Sequence, residues 1–432
     1  MSIYPTHKPS GIEWLGDIPE HWEVKRLKNV TQIVNGSTPK SNIEVFWDGD
    51  ITWVTPGDIS KLTGYISSSE KTITEEGYNS CGTELVPPLS TILTCRAPIG
   101  NTVIAETELC TNQGCKSLFS NSVEYRYLYY FILSANEELN SLGQGTTFLE
   151  LSRTSLGDTK LSFPKSQDEQ TAIANYLDEK TTKLDQLISN KKDQIDKLKE
   201  VRQIEINTAV TKGLDPNVKL KPSGIELLGD IPEHWELWKL SSKFKDISSG
   251  TTPQAGNDRF YENGEYPWIN TGDLNDSFLH SCKKKVTQTA LDEHSVLKLH
   301  PPGVLIMAMY GATIGKLGII SFEACCNQAC CVIGTSKSVE TKYLFYWLMG
   351  NRTEIVNRAY GGGQPNISQD VIKRLRITCP PSKEQTAIAN YLDEKTSKID
   401  QLVSNLENQI EQLEEVIKIE IYNAVTGKIK TD

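Results

Sequence analysis

Long apolar runs are missing from this 432-residue chain. Its most apolar stretch, residues 304–310, is about right for one buried strand and far short of the ~20 residues that cross a bilayer as a helix. The opening MSIYPTHKPSG has no basic segment leading into an apolar run, so a secretory signal is not expected and a cytoplasmic location is. The ten cysteines include no Cys-x-x-Cys, and the crowded set Cys325, Cys326, Cys330 and Cys331 fits no common zinc spacing. They read as reduced, mostly buried thiols. An excess of positive charge is also absent: 45 Lys and Arg stand against 55 Asp and Glu, a net charge of −10. That excludes a uniformly basic nucleic-acid binder. Any DNA contact must be local or shared with a more basic partner. The distribution is uneven, with 10 basic and 15 acidic residues in 28–167 but 15 and 12 in 241–382.

Catalytic signatures are missing too. The Pro-Pro pairs stand in VPPL, HPPG and CPPS, none preceded by the Asn or Asp of an amino-methyltransferase. Gly311-Ala-Thr-Ile-Gly315-Lys316 has the wrong spacing for a phosphate loop and reads as a turn after a strand. No Gly-x-Ser-x-Gly and no His-x-x-x-His occurs. His21 and His234 lie in a repeated IPEHWE segment, where a structural role fits better than a catalytic one. No catalytic residue and no metal ligand is assigned.

What is present is a duplication. Residues 8–27 and 221–240 agree at 16 of 20 positions, and residues 169–190 and 384–405 at 19 of 22. The blocks between them diverge, leaving echoes such as Ser37-Thr38-Pro39 with Thr251-Thr252-Pro253, Trp53 with Trp268, and Asn112-Gln113 with Asn327-Gln328. The chain reads as a repeated frame (1–27), a variable domain (28–167), a helix (168–213), a linker with the second frame (214–240), a second variable domain (241–382) and a second helix (383–432). Short strand-like runs at 51–55, 91–95, 304–310 and 372–378, with helical stretches at 125–136 and 341–351, make each variable block a mixed α/β domain.

The helical blocks carry a coiled-coil seam. In the first it comprises Ile173, Leu177, Leu184, Ile188, Ile195 and Leu198. In the second it comprises Ile388, Leu392, Ile399, Val403, Leu406, Ile410, Leu413, Ile417 and Ala424. Lys191 and Arg202 stand where the second helix has Leu406 and Ile417. Residues 191–202 are mainly basic and 406–418 mainly acidic, so the helices are expected to pair with each other, antiparallel and with pseudo-two-fold symmetry. Pairing with another chain is the alternative.

The repeated PSGIE…LGDIPEHWE opening and EQTAIANYLDEKT helix together resemble the specificity subunit of Type I restriction–modification systems. The resemblance covers essentially the whole chain. It implies an α+β architecture of two target recognition domains joined by two long antiparallel helices. Each domain would read one half of a bipartite, asymmetric DNA site, with the helices as a ruler. It also implies double-stranded DNA, two modification (methyltransferase) subunits and restriction subunits as partners. S-adenosylmethionine, ATP and Mg would belong to those partners, with no cofactor held by this chain. The other readings are a coiled-coil protein-binding scaffold, or a methyltransferase or nuclease with an unrecognised site.

Base reading requires Arg, Lys, Asn, Gln or hydroxyl side chains on loops. The candidates are Thr38, Lys40, Arg96, Gln113, Lys116, Gln144, Thr146, Thr147 and Arg153 in the first domain. In the second they are Thr252, Gln254, Arg259, Tyr310, Lys316, Gln328, Gln364 and Asn366.

Overall fold

The computed structural model describes residues 3–145, 149–226, 228–357 and 366–431. They fall into two compact units, Met1–Lys191 with Glu407–Asp432, and Lys192–Leu406. Each long helix is therefore divided between the units.

The first unit holds a five-stranded mixed sheet in the spatial order Gln32–Asn35, Cys115–Phe119, Thr91–Thr94, Thr102–Ala105 and Tyr65–Ile66. The last pair is parallel and the others antiparallel. Thr91–Thr94 and Thr102–Ala105 are buried at every position, as expected for strands covered on both faces. The second unit repeats this order with Ile247–Ser249, Cys330–Ile333, Leu305–Ala308, Leu317–Ile320 and Ser277–Leu279. In each unit an apolar helix packs into the main core, Tyr125–Ser134 in one and Thr341–Gly350 in the other. The expected strand at 372–378 is corrected. Ser368 accepts the N–H of Val371 and caps a short helix, Gln369–Arg374, so only Arg376–Cys379 is extended.

The repeated motifs are stitched to one another. Glu169, in the first turn of the helix Gln167–Lys212, accepts from Trp22 Nε1 at 3.1 Å and lies 3.0 Å from His21 Nε2. Glu384, in the helix Ser382–Val425, does the same for Trp235 (3.0 Å) and His234 (2.8 Å). The next residue is a buried glutamine in both copies. Gln170 accepts from Glu124 N–H and donates to Pro164 carbonyl, while Gln385 accepts from Glu340 N–H and donates to Pro380 carbonyl. About two turns on, Asp178 receives the Tyr130 hydroxyl and Asp393 the Tyr346 hydroxyl, both at 2.7 Å. The repeated sequence is thus the clamp between helix and variable domain.

The long helices span 46 and 44 residues, and each ends at a glycine with positive φ (Gly213, +78°; Gly427, +71°). They run antiparallel within each unit. In the first, Tyr176 hydroxyl donates to Glu420 and Lys191 to Gln409. In the second, Tyr391 donates to Glu205, and Arg202 pairs with Asp400 at 3.1 Å. Seam positions Leu177, Ile188, Ile195, Leu392, Ile399 and Ile410 are buried; Leu184, Leu198, Val403, Leu406, Leu413 and Ile417 are half-buried. This register corrects the expected charge pairing, because the basic stretch begins opposite Gln409 and ends opposite Asp400, largely missing the acidic 406–418. Each core is closed by the far end of the other helix. Val425 carbonyl accepts from Tyr127 hydroxyl in the first unit, and Val210 carbonyl from Thr378 and Tyr343 in the second.

Candidate nucleic-acid interface

Each variable domain builds the same small constellation at the same place. A tryptophan on a strand fixes a Ser/Thr-Thr-Pro loop: Trp53 Nε1 donates to Ser37 carbonyl at 2.9 Å, and Trp268 Nε1 to Thr251 carbonyl at 3.2 Å. Gly36 and Gly250 let that loop press against a neighbouring backbone, since a Cβ there would overlap the carbonyls of Asn112 and Cys326. The loop hydroxyl then meets a glutamine. Thr38 donates to Gln113 Oε1, and Thr252 to Gln328 Oε1. The preceding asparagines make the turn, with Asn112 Oδ1 accepting from Gly114 N–H and Asn327 Oδ1 from Ala329 N–H. A capped turn follows the tryptophan strand. Asp58 accepts from Thr55 backbone and hydroxyl, and Asp273 from Asn270 backbone. Burial opposes ionisation of Asp58, but the Thr55 and Glu70 donors hold its carboxyl below the usual range.

The backbone carries this constellation onward. Cys95 N–H donates to Gly114 carbonyl and Leu151 N–H to Cys95 carbonyl, both at 2.8 Å, which places Arg96 between the Gln113 turn and Glu150, itself bridged to Gln144. In the second domain Met309 N–H donates to Ala329 carbonyl and Ile367 N–H to Met309 carbonyl, placing Tyr310 between Gln328 and Asn366. The structure therefore brings Thr38, Gln113, Arg96 and Gln144 together in one domain, and Thr252, Gln328, Tyr310 and Asn366 in the other. Lys40 and Gln254 are exposed beside the loops, and Arg153 is exposed in the first turn of the helix Arg153–Asp158.

One candidate lies off the loops, and two others are in ion pairs. Lys116 is on a strand, not a loop, and is 5% exposed, its ammonium 3.4 Å from Cys95 Sγ. Burial pushes the Cys95 thiol up against the pull of that ammonium. Lys316, 43% exposed, is paired with Asp276 at 3.2 Å, and Asp276 is also held by Arg352, so Lys316 is one arm of an ion network. Arg259 is paired with Glu293. Thr146, Thr147 and Gln364 lie outside the described residues. The fixing residues Trp53, Trp268, Gly36 and Gly250 were not among the candidates, although both copies carry the same Gly and Trp around the Ser/Thr-Thr-Pro loop. All ten cysteines are free, and eight are buried. Among the described residues no helix is long and apolar enough to cross a membrane, and no group of three or more His, Cys, Asp or Glu is placed to hold a metal ion.

The model of the Type I restriction modification DNA specificity domain matches twice, over residues 19–197 and 232–412. The chain belongs to that family. Among specificity subunits, that of the Type I restriction enzyme MjaIX from Methanocaldococcus jannaschii is 30% identical over 85% of each chain. That of EcoR124I/EcoR124II from Escherichia coli is 23% identical over 49% of this chain and 54% of its own. Among solved structures, a chain from work on complex assembly and conformational transition of the type I R-M system superposes with a TM-score of 0.74 at 16% identity, covering 95% of this chain and 99% of that one. The HsdS subunit from Thermoanaerobacter tengcongensis gives 0.51, also at 16%, covering 95% and 98%. These likenesses show the specificity-subunit fold of two mixed domains and two long helices. The doubled constellation lies inside the two matched domains, one copy in each.

Proposed function

We propose that this specificity subunit has no chemistry of its own and reads a bipartite, asymmetric DNA site, one half with each variable domain. The observation that carries this reading is the doubled constellation: one scaffold, held by the same Trp, Thr, Gln and Asn contacts, presents different side chains at equivalent positions. Lys40 faces Gln254 in this comparison, and Arg96 faces Tyr310. Two copies of one reader with different readers' residues suit a site whose halves differ. The helices set the spacing between half-sites. The domain limits at 27, 167, 213, 240 and 382 follow the repeats and serve this arrangement.

Partners are proposed from the helix surfaces. Leu187, Val201 and Ile204 are exposed on the first helix, and Leu402, Val416 and Ile419 at the equivalent positions of the second. Each unit so displays the same three apolar side chains, which suits docking of two copies of one partner. Two methyltransferase subunits fill that role, with restriction subunits joining them; S-adenosylmethionine, ATP and Mg are theirs. A purely protein-binding scaffold would leave the unlike residues at the Arg96 and Tyr310 positions without a purpose.

The test is methylome sequencing of the host with and without this gene, alongside co-purification with the methyltransferase. Adenine methylation at a gapped, asymmetric sequence should vanish on deletion. An unchanged methylome would overturn the proposal.

A further inference from the structure

We infer that Arg96 and Tyr310 occupy one equivalent base-reading position, and that Arg96 reads a guanine in the first half-site. This rests on the DNA-reading function proposed above and assigns residues within it.

Both residues lie two positions beyond the matching central strands Thr91–Thr94 and Leu305–Ala308. Each is flanked on one side by the Thr–Gln pair and bridged on the other to the segment before the final short helix, Arg96 to Glu150 and Tyr310 to Asn366. The surroundings are common to both domains; the side chain is not. A contact shared by two domains that read different sequences serves what the half-sites share, the sugar–phosphate backbone. That assigns Thr38–Gln113 and Thr252–Gln328 to positioning. Discrimination falls to the position that differs.

The chemistry at that position then selects the base. Arg96 Nε donates to Glu150 Oε2 at 3.1 Å, and its side chain is 46% exposed. Its two terminal nitrogens have no partner among the described residues, so the carboxylate orients the guanidinium while its outer fork stays available. That fork matches the O6 and N7 acceptors of guanine. The neighbouring Cys95 Sγ is met by the ammonium of Lys116, buried and with no carboxylate inside ion-pairing distance among the described residues. Its charge adds to the field at Arg96 and favours an acceptor-rich base edge. The second domain has Met309 and Cys331 where the first has Cys95 and Lys116, as the strand registers show. The Lys116 position is thus an uncharged thiol in the domain of Tyr310, whose hydroxyl lies within hydrogen-bonding reach of Gln328.

The test uses the full chain assembled with its methyltransferase subunits on a library of duplexes randomised in both half-sites, with methylated products sequenced. Wild type should show a guanine preference at one position of one half-site. Arg96→Gln should lower that preference by roughly ten- to a hundredfold and leave the other half-site unchanged. Arg96→Lys, which keeps the charge but not the fork, should retain part of it. Tyr310→Phe should relax only the opposite half-site. Thermal melting verifies folding of each variant, and if Arg96→Gln fails to fold, Arg96→Lys decides. An unchanged motif with a merely slower rate, or a change in the wrong half-site, overturns the assignment. A wild-type complex that methylates no gapped site overturns the DNA-reading function itself, a result distinct from an unchanged motif.

Discussion

A buried side-chain amide is costly to leave unmatched, and Gln385 shows how the repeated helix motif exploits this. It is 1% exposed, accepts from Glu340 N–H at 2.8 Å, and donates to the carbonyls of Ser338 and Pro380 at 2.9 Å. Truncation strands three backbone groups in a buried site. Gln385→Ala is therefore expected to destabilise the protein by about 2–4 kcal/mol, and Gln170→Ala similarly, read by urea denaturation. A loss below about 0.5 kcal/mol would show that water replaces the amide at no cost. The role of these glutamines was hidden in sequence, since the N–H groups they accept from lie 46 and 45 residues away. The same limit governs the candidate readers. Residue type proposed Lys116, Lys316 and Arg259 alongside Arg96. Only the fold shows that Lys116 is buried and that Lys316, Arg259 and Arg96 each meet a carboxylate, Arg96 through Nε alone.

At the scale of elements, periodicity was informative where a single face decides burial. The seams of the long helices follow the apolar spacing, and the capping glycines fall where the pattern ends. It was least informative at 372–378, where a one-turn helix and a strand share one apolar run. The contacts between helix and domain rest on tyrosines, which gives them a pH signature. Burial raises the hydroxyl pKa of Tyr130 and Tyr346, and their bonds to the carboxylates Asp178 and Asp393 raise it further, against the opposing pull of Thr181 and Thr396. An unfolded tyrosine titrates near 10. Above that pH the unfolded chain releases protons that the folded chain retains, so stability falls as pH rises. Buried cysteines such as Cys110 and Cys326, whose thiols burial also pushes up, start the same loss earlier, so the urea midpoint should begin to decline near pH 8.5 and fall more steeply above about pH 9.5. Tyr346→Phe should lower stability at pH 8 and flatten the decline. An unaltered slope in that variant would remove Tyr346 from the account.

At the scale of the molecule, the duplication was legible in the repeats, but the way the chain closes its cores was not. The second unit, Lys192–Leu406, is one continuous segment. It contains the far end of the first helix, whose Val210 carbonyl receives Thr378 and Tyr343, and the near end of the second, whose Ile388 and Leu392 enter the same core. Every element that closes this core is present between residues 192 and 406. The first unit needs both chain ends: Ile421, Ala424 and Val425 complete a core otherwise built from the opening residues, and Tyr127 loses the Val425 carbonyl if they are removed. A fragment of residues 192–406 should therefore fold alone with a cooperative melt. A fragment of residues 1–191 should not, until a peptide of residues 407–432 is added in trans. Circular dichroism and amide exchange on the three pieces decide the matter. Cooperative folding of 1–191 alone would show that the first core needs no closure by the second helix, and failure of 192–406 would show that its half-helices require the continuous pair.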